Sequence, residues 1–182
     1  MCLRVAVVAG FVVASTATAA LAATPLNGDL KLTPFNPQKA CKFSSRKMPA
    51  IPGPIVPGTV VLLAQCGGAA GPRGSFSGSP ATRGAGYGWN WYLAVGKNGK
   101  TTGLAVELGT AVLVPARGAQ ITLQLTGVQR PAGPQTSTHA KGFTKGTWRS
   151  LTRKGSGTYT FSTERKGSVF TTATLHLEGS LR

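Results

Sequence analysis

The chain has 182 residues, 20 of them Lys or Arg and only 4 Asp or Glu, for a formal net charge of +16. That excess favours anionic partners such as charged polymers or a membrane surface. It also leaves Asp29, Glu107, Glu164 and Glu178 as the whole supply of carboxylates, which argues against acid–base catalysis and against an enzyme.

The chain opens with Met1-Cys2-Leu3-Arg4, an apolar run over 5–14, and small residues ending in Ala20-Leu21-Ala22. A basic start, an apolar core and a small-x-small site in that order describe a secretory signal peptide, a helix over 1–22 cut before Ala23. An uncleaved anchor is the alternative, but the apolar run falls short of the about 20 residues of a membrane span. No later segment is long and apolar enough to cross a bilayer, so residues 23–182 are expected to form one exported domain without a transmembrane segment. Cleavage removes Arg4 and lowers the charge by one, to +15.

Cys41 and Cys66 remain. In an oxidising compartment an even count reads as a disulfide, and a bridge across this span stabilises by roughly 3–4 kcal/mol in the chain-entropy model. Two cysteines without clustered histidines do not supply the four ligands of a structural zinc, so neither metal nor cofactor is expected.

A first strand is expected over 26–33, then a basic stretch over 39–47. Pro49, Pro52, Pro54 and Pro57 forbid helix and favour an extended path. Residues 44–57 therefore read as a Pro-rich loop held within the Cys41–Cys66 bridge. Strand follows strand from there. Tyr87, Trp89, Trp91, Leu93 and Val95 share one parity, the mark of a half-buried strand. The Asn98-Gly99 pair signals a hairpin. The return strand carries Leu104, Val106 and Leu108 on one face, with a bend or bulge expected at Gly109. Ile121, Leu123 and Leu125 alternate with polar residues, a polar loop is expected over 129–142, and a meander closes the chain with turns near 153–156 and 164–167.

This pattern is all-β and antiparallel: a closed or nearly closed barrel, with a two-sheet sandwich as the alternative. Parity places Glu107 opposite Leu104, Val106 and Leu108, so it is expected to face solvent, as are Asp29 and Glu178, with Glu164 in a turn. His139 falls in the polar loop and His176 on a solvent face. Tyr92 is expected to be exposed. The glycine-rich run over 66–74 lacks the Gly-Lys-Ser/Thr of a phosphate loop, and no specific nucleic-acid motif is present.

Two sets of candidate functional residues result. In a meander, successive turns alternate between two ends. Arg73, Lys97, Lys100, Arg130, Lys141, Arg165 and Lys166 then gather at one end as a candidate anion-binding rim, and Arg83, Arg117, Arg153 and Lys154 at the other. Tyr87, Trp89 and Trp91 are candidates to line a cavity. The leading expectation is a non-enzymatic exported domain that binds anionic envelope or extracellular polymers. The alternative is a barrel that binds, or acts on, a small apolar ligand in an aromatic-lined cavity.

Overall fold

The computed structural model describes residues 23–50, 53–56, 58–67, 72–132 and 139–182. Residues 1–22, on which the signal peptide falls, lie outside them. The described residues form β1 (Thr24–Leu32), a single helical turn α1 (Pro37–Ala40), β2 (Cys41–Lys47), β3 (Val60–Cys66), β4 (Arg73–Ser79), β5 (Thr82–Val95), β6 (Thr101–Pro115), β7 (Ile121–Pro131), β8 (His139–Ser150), β9 (Gly155–Lys166) and β10 (Val169–Leu181).

All the strand pairings are antiparallel and belong to one ten-stranded sheet, ordered β2-β3-β5-β4-β1-β10-β9-β8-β7-β6, with β6 also paired to β5. The order from β1 through β10 back to β6 is ring-like. Consecutive hairpins account for most of it. The exception is β1 against β10, which joins the two ends of the domain from Thr24↔Leu181 to Lys31↔Thr174.

The β5–β6 hairpin decides which side chains face inward. Gly96 N–H donates to the Lys100 carbonyl at 2.8 Å, so Lys97-Asn98-Gly99 form a three-residue loop, with Gly99 at φ +74°. Such loops need a residue in the left-handed region, which glycine adopts without strain. A two-residue Asn-Gly turn would have set Trp91 opposite Val106. The three-residue loop instead pairs odd-numbered residues of β5 with odd-numbered residues of β6, and a two-residue register shift between Leu93 and Val95 then sets Trp91 opposite Glu107; a one-residue change of register moves every side chain to the other face.

Leu104, Val106 and Leu108 therefore lie on the outside of the ring. They remain apolar because the chain between β2 and β3 covers them: Met48 and Ile55 pack with Val61, Leu63, Tyr92 and Val106 in a second buried cluster. Cys41 and Cys66, directly opposite in register, are disulfide-bonded and tie β2 to β3, with both cysteines packed in the main core cluster rather than in this outer one.

Several local expectations are corrected. The extended segment begins after Lys47, since residues 44–47 belong to β2, an outer strand whose basic side chains stay in water. Gly109 is no bulge: the register runs unbroken through it on both sides. His139 is in β8 and Glu164 in β9, because the ladders extend further into the polar sequence than alternation of apolar residues reveals. Tyr92 is buried in the outer cluster, with the Arg46 guanidinium 5.6 Å from its ring centre.

The main core fills the inside of the ring. Leu26, Leu30, Leu113, Ile121, Leu123, Leu125, Leu175 and Leu177 are fully buried there. Burying each such side chain contributes on the order of 1.5–3 kcal/mol.

Candidate functional site

Glu107 lies inside the ring and is fully buried. This overturns the solvent-facing position inferred from parity. The alternation was right, but the apolar face of β6 is the covered outer one. Asp29 and Glu178 do face water. Asp29 pairs with His176 at 2.7 Å on the outer surface, and Glu164 lies within 4 Å of His139, Lys141 and Lys166.

Four side chains hydrogen-bond the Glu107 carboxylate. Tyr87 and Tyr159 donate their hydroxyls to Oε1 at 2.7 and 3.1 Å. Thr144 donates to Oε2 at 3.1 Å, and Trp91 donates its indole N–H to the same oxygen.

The register explains how donors from three strands, β5, β8 and β9, reach one carboxylate. Trp91, Glu107, Gly127, Gly146 and Tyr159 stand in a single cross-strand row over β5 to β9. The two glycines leave the row open between acid and phenol. A Cβ at Gly127 would sit 2.5 Å from Tyr159 Oη, and one at Gly146 would sit 2.6 Å from Tyr159 Cε1. Gly109 does the same for Tyr87, where a Cβ would lie 2.6 Å from Cε2. Close approach, not turn geometry, requires glycine at these strand positions.

Burial sets the electrostatics. Desolvation raises the Glu107 pKa above the ordinary carboxylate value, against the opposing effect of its four hydrogen bonds. Burial first, and then the neighbouring Glu107, push the Tyr87 phenol well up and raise that of Tyr159 as well, so both hydroxyls keep their protons and remain donors. Among the described residues, the salt bridges of the basic side chains involve acids other than Glu107. The carboxyl is therefore held by neutral donors, an arrangement that fixes its position and favours retention of its proton to higher pH than in water.

Beside it lies an aromatic cluster. Tyr87 stacks on Trp89 at 5.1 Å, Trp89 meets Trp91 at 5.4 Å and Phe161 at 5.0 Å, and Phe35 and Phe170 lie 5.2 Å apart. Phe170 sits 6.2 Å from Trp91. The Trp89 Nε1–H is buried and has no hydrogen-bond partner among the described residues.

A pocket of ≈ 240 Å³ opens at the end of the ring where β5, β7 and β9 finish and β6, β8 and β10 start. Trp91, Leu93 and Phe170 line it together with Gln129, Thr163, Arg130, Lys141 and Arg165. Of the three aromatic candidates, Trp91 lines this pocket and also bonds Glu107, while Tyr87 and Trp89 pack in the core. Of the seven candidate rim residues, Arg130, Lys141 and Arg165 line the pocket. Lys97 and Lys100 belong to the β5–β6 turn, Lys166 ends β9 and Arg73 begins β4.

Among the described residues, no group of three or more His, Cys, Asp or Glu is placed to hold a metal ion. No helix among them is long and apolar enough to cross a membrane. No family model, curated protein or solved structure matches the chain.

Proposed function

We propose that the ring is a closed β-barrel that binds a small ligand in the pocket over Trp91, with Glu107 as the buried hub that holds the pocket floor in place. The carrying observation is Trp91, whose ring lines the pocket while its indole N–H is fixed by Glu107. A carboxyl held from four sides, next to packed aromatic rings, makes a preorganised floor. Preorganised, largely apolar cavities with a few placed polar groups are the common form of small-molecule sites.

The pocket volume of ≈ 240 Å³ lies below the about 300–1,000 Å³ usual for drug-sized ligands, which suits a compound of one ring. The same geometry favours binding over acid–base catalysis, since Glu107 is buried and its oxygens are already engaged. Fluorescence titration with single-ring compounds tests the reading. Saturable quenching is expected for the native chain, and its loss in Leu93→Trp, which fills the mouth while leaving the Glu107 contacts in place. Quenching that survives Leu93→Trp unchanged would refute it.

A second reading rests on charge. Export through residues 1–22 would deliver a chain of net charge +15, and Lys97 and Lys100 in the β5–β6 turn would gather at one end with Arg165 and Lys166 at the end of β9. An association with anionic envelope or extracellular polymers through that end is then expected to be salt-sensitive. Retention on an anionic polymer matrix that does not change between low and high salt would exclude it.

A further inference from the structure

The pocket walls differ in chemistry. Trp91, Leu93 and Phe170 supply the apolar side. On the polar side, Gln129 and Arg165 share the inward parity of the buried residues of β7 and β9, and Thr163 is itself buried. Gly142 lets two of these converge: a Cβ there would lie 2.5 Å from Gln129 Nε2 and 2.8 Å from Thr163 Oγ1. The amide and the hydroxyl thus meet over a backbone that has no side chain of its own.

Charge is one-sided. Arg130, Lys141 and Arg165 are among the residues that line the pocket, and no acidic residue is. Lys141 also approaches Glu164 at 3.9 Å, and Arg165 donates to the Gly167 carbonyl, which anchors the guanidinium at the mouth. A guanidinium carries five N–H donors in a planar fork, more than a single carbonyl oxygen can engage. The Glu107 carboxylate lies behind the Trp91 indole and presents no exposed surface to the pocket.

We infer that the pocket selects a small organic anion, a single-ring carboxylate whose ring lies against Trp91 and Phe170 and whose carboxylate meets Arg165. This rests on the ligand-binding reading of the same pocket and adds the chemical class of the ligand. An anion here gains a charge-assisted hydrogen bond that a neutral isostere does not. Arg165 at an inward position, beside donors from Gln129 and Thr163, fits a carboxylate better than it fits a purely apolar molecule.

Paired probes separate the inference from the reading beneath it. Phenylacetate and phenylacetamide share shape and ring but differ in charge. Titration of the native chain is expected to show phenylacetate binding at least about tenfold more tightly. Arg165→Gln should remove that advantage by weakening phenylacetate far more than phenylacetamide. Arg165→Lys, which keeps the charge, and Arg130→Gln, at the exposed rim, provide further variants should Arg165→Gln fail to fold. The expected result is retention of most of the preference in Arg165→Lys and a smaller reduction in Arg130→Gln. Equal affinity for the two probes would overturn the anion assignment while leaving a ligand pocket. No binding of either probe would remove both, and a preference unaffected by every substitution would overturn the role of these bases.

Discussion

At the scale of single residues, Glu107 is the position on which the interior turns. Its four donors are buried with it. Removing the acceptor leaves Tyr87, Trp91, Thr144 and Tyr159 to find others, and a buried polar group left unpaired costs about 1–3 kcal/mol. Glu107→Leu should therefore lower the unfolding free energy by about 3–5 kcal/mol, read from the denaturant midpoint. Glu107→Gln behaves differently. Its amide oxygen accepts from Trp91 and Thr144, and its amide N–H groups donate to the two tyrosine oxygens, so most of the stability should remain.

The acid also makes stability depend on pH. Its pKa is raised in the folded chain, so the folded state binds the proton more tightly than the unfolded one. Its contribution is thus fully present below the unfolded value of about 4.3 and is lost as pH rises through the folded value. Glu107→Gln should abolish that decline, leaving a midpoint that no longer falls over this window relative to the native chain. Parallel native and variant curves would count against the buried acid.

At the scale of elements, the β5–β6 hairpin shows what was legible and what was not. Asn98-Gly99 marked the turn, and the alternation of Tyr87, Trp89 and Trp91 marked the strand and its buried face. The side on which β6 presents its polar residue was not legible, because it depends on a loop of three residues rather than two. A usable signal was present. The large rings of β5 need small partners across the pair, and Ala105, Gly109 and Ala111 share their parity with Glu107. The apolar outer face of β6 misled because the chain after β2 covers it, a contact between distant segments.

That covering segment is anchored by the disulfide. Reducing Cys41–Cys66 should cost roughly 3 kcal/mol in the chain-entropy model. It should raise hydrogen exchange in β2, β3 and the Met48–Ile55 cover while leaving β7 to β9 protected. Uniform loss of protection would show that the bridge supports the whole sheet rather than its outer hairpin.

At the scale of the molecule, the hairpins from β5 to β10 follow from local turn and alternation signals. The pairing of β1 with β10 does not, because no local feature announces which distant strand completes the order. The same non-local arrangement creates the site. Trp91, Glu107 and Tyr159 are separated in sequence but meet across one row, and Gly127 and Gly146 matter only once that row exists. The basic residues were legible as a set of candidates. Which of them line a pocket was not, since that depends on inward parity near the strand ends.

The central claim is that the ring encloses a carboxyl at Glu107 beneath the pocket. Carbon-13 NMR titration of the side-chain carboxyls, with the Glu107 signal assigned through Glu107→Gln, measures this directly. The account predicts a midpoint above the about 4.3 of a solvated glutamate and a resonance that responds when phenylacetate occupies the pocket. A Glu107 signal that titrates at or below the solvated value, and is indifferent to ligand, would return that side chain to water and contradict the account.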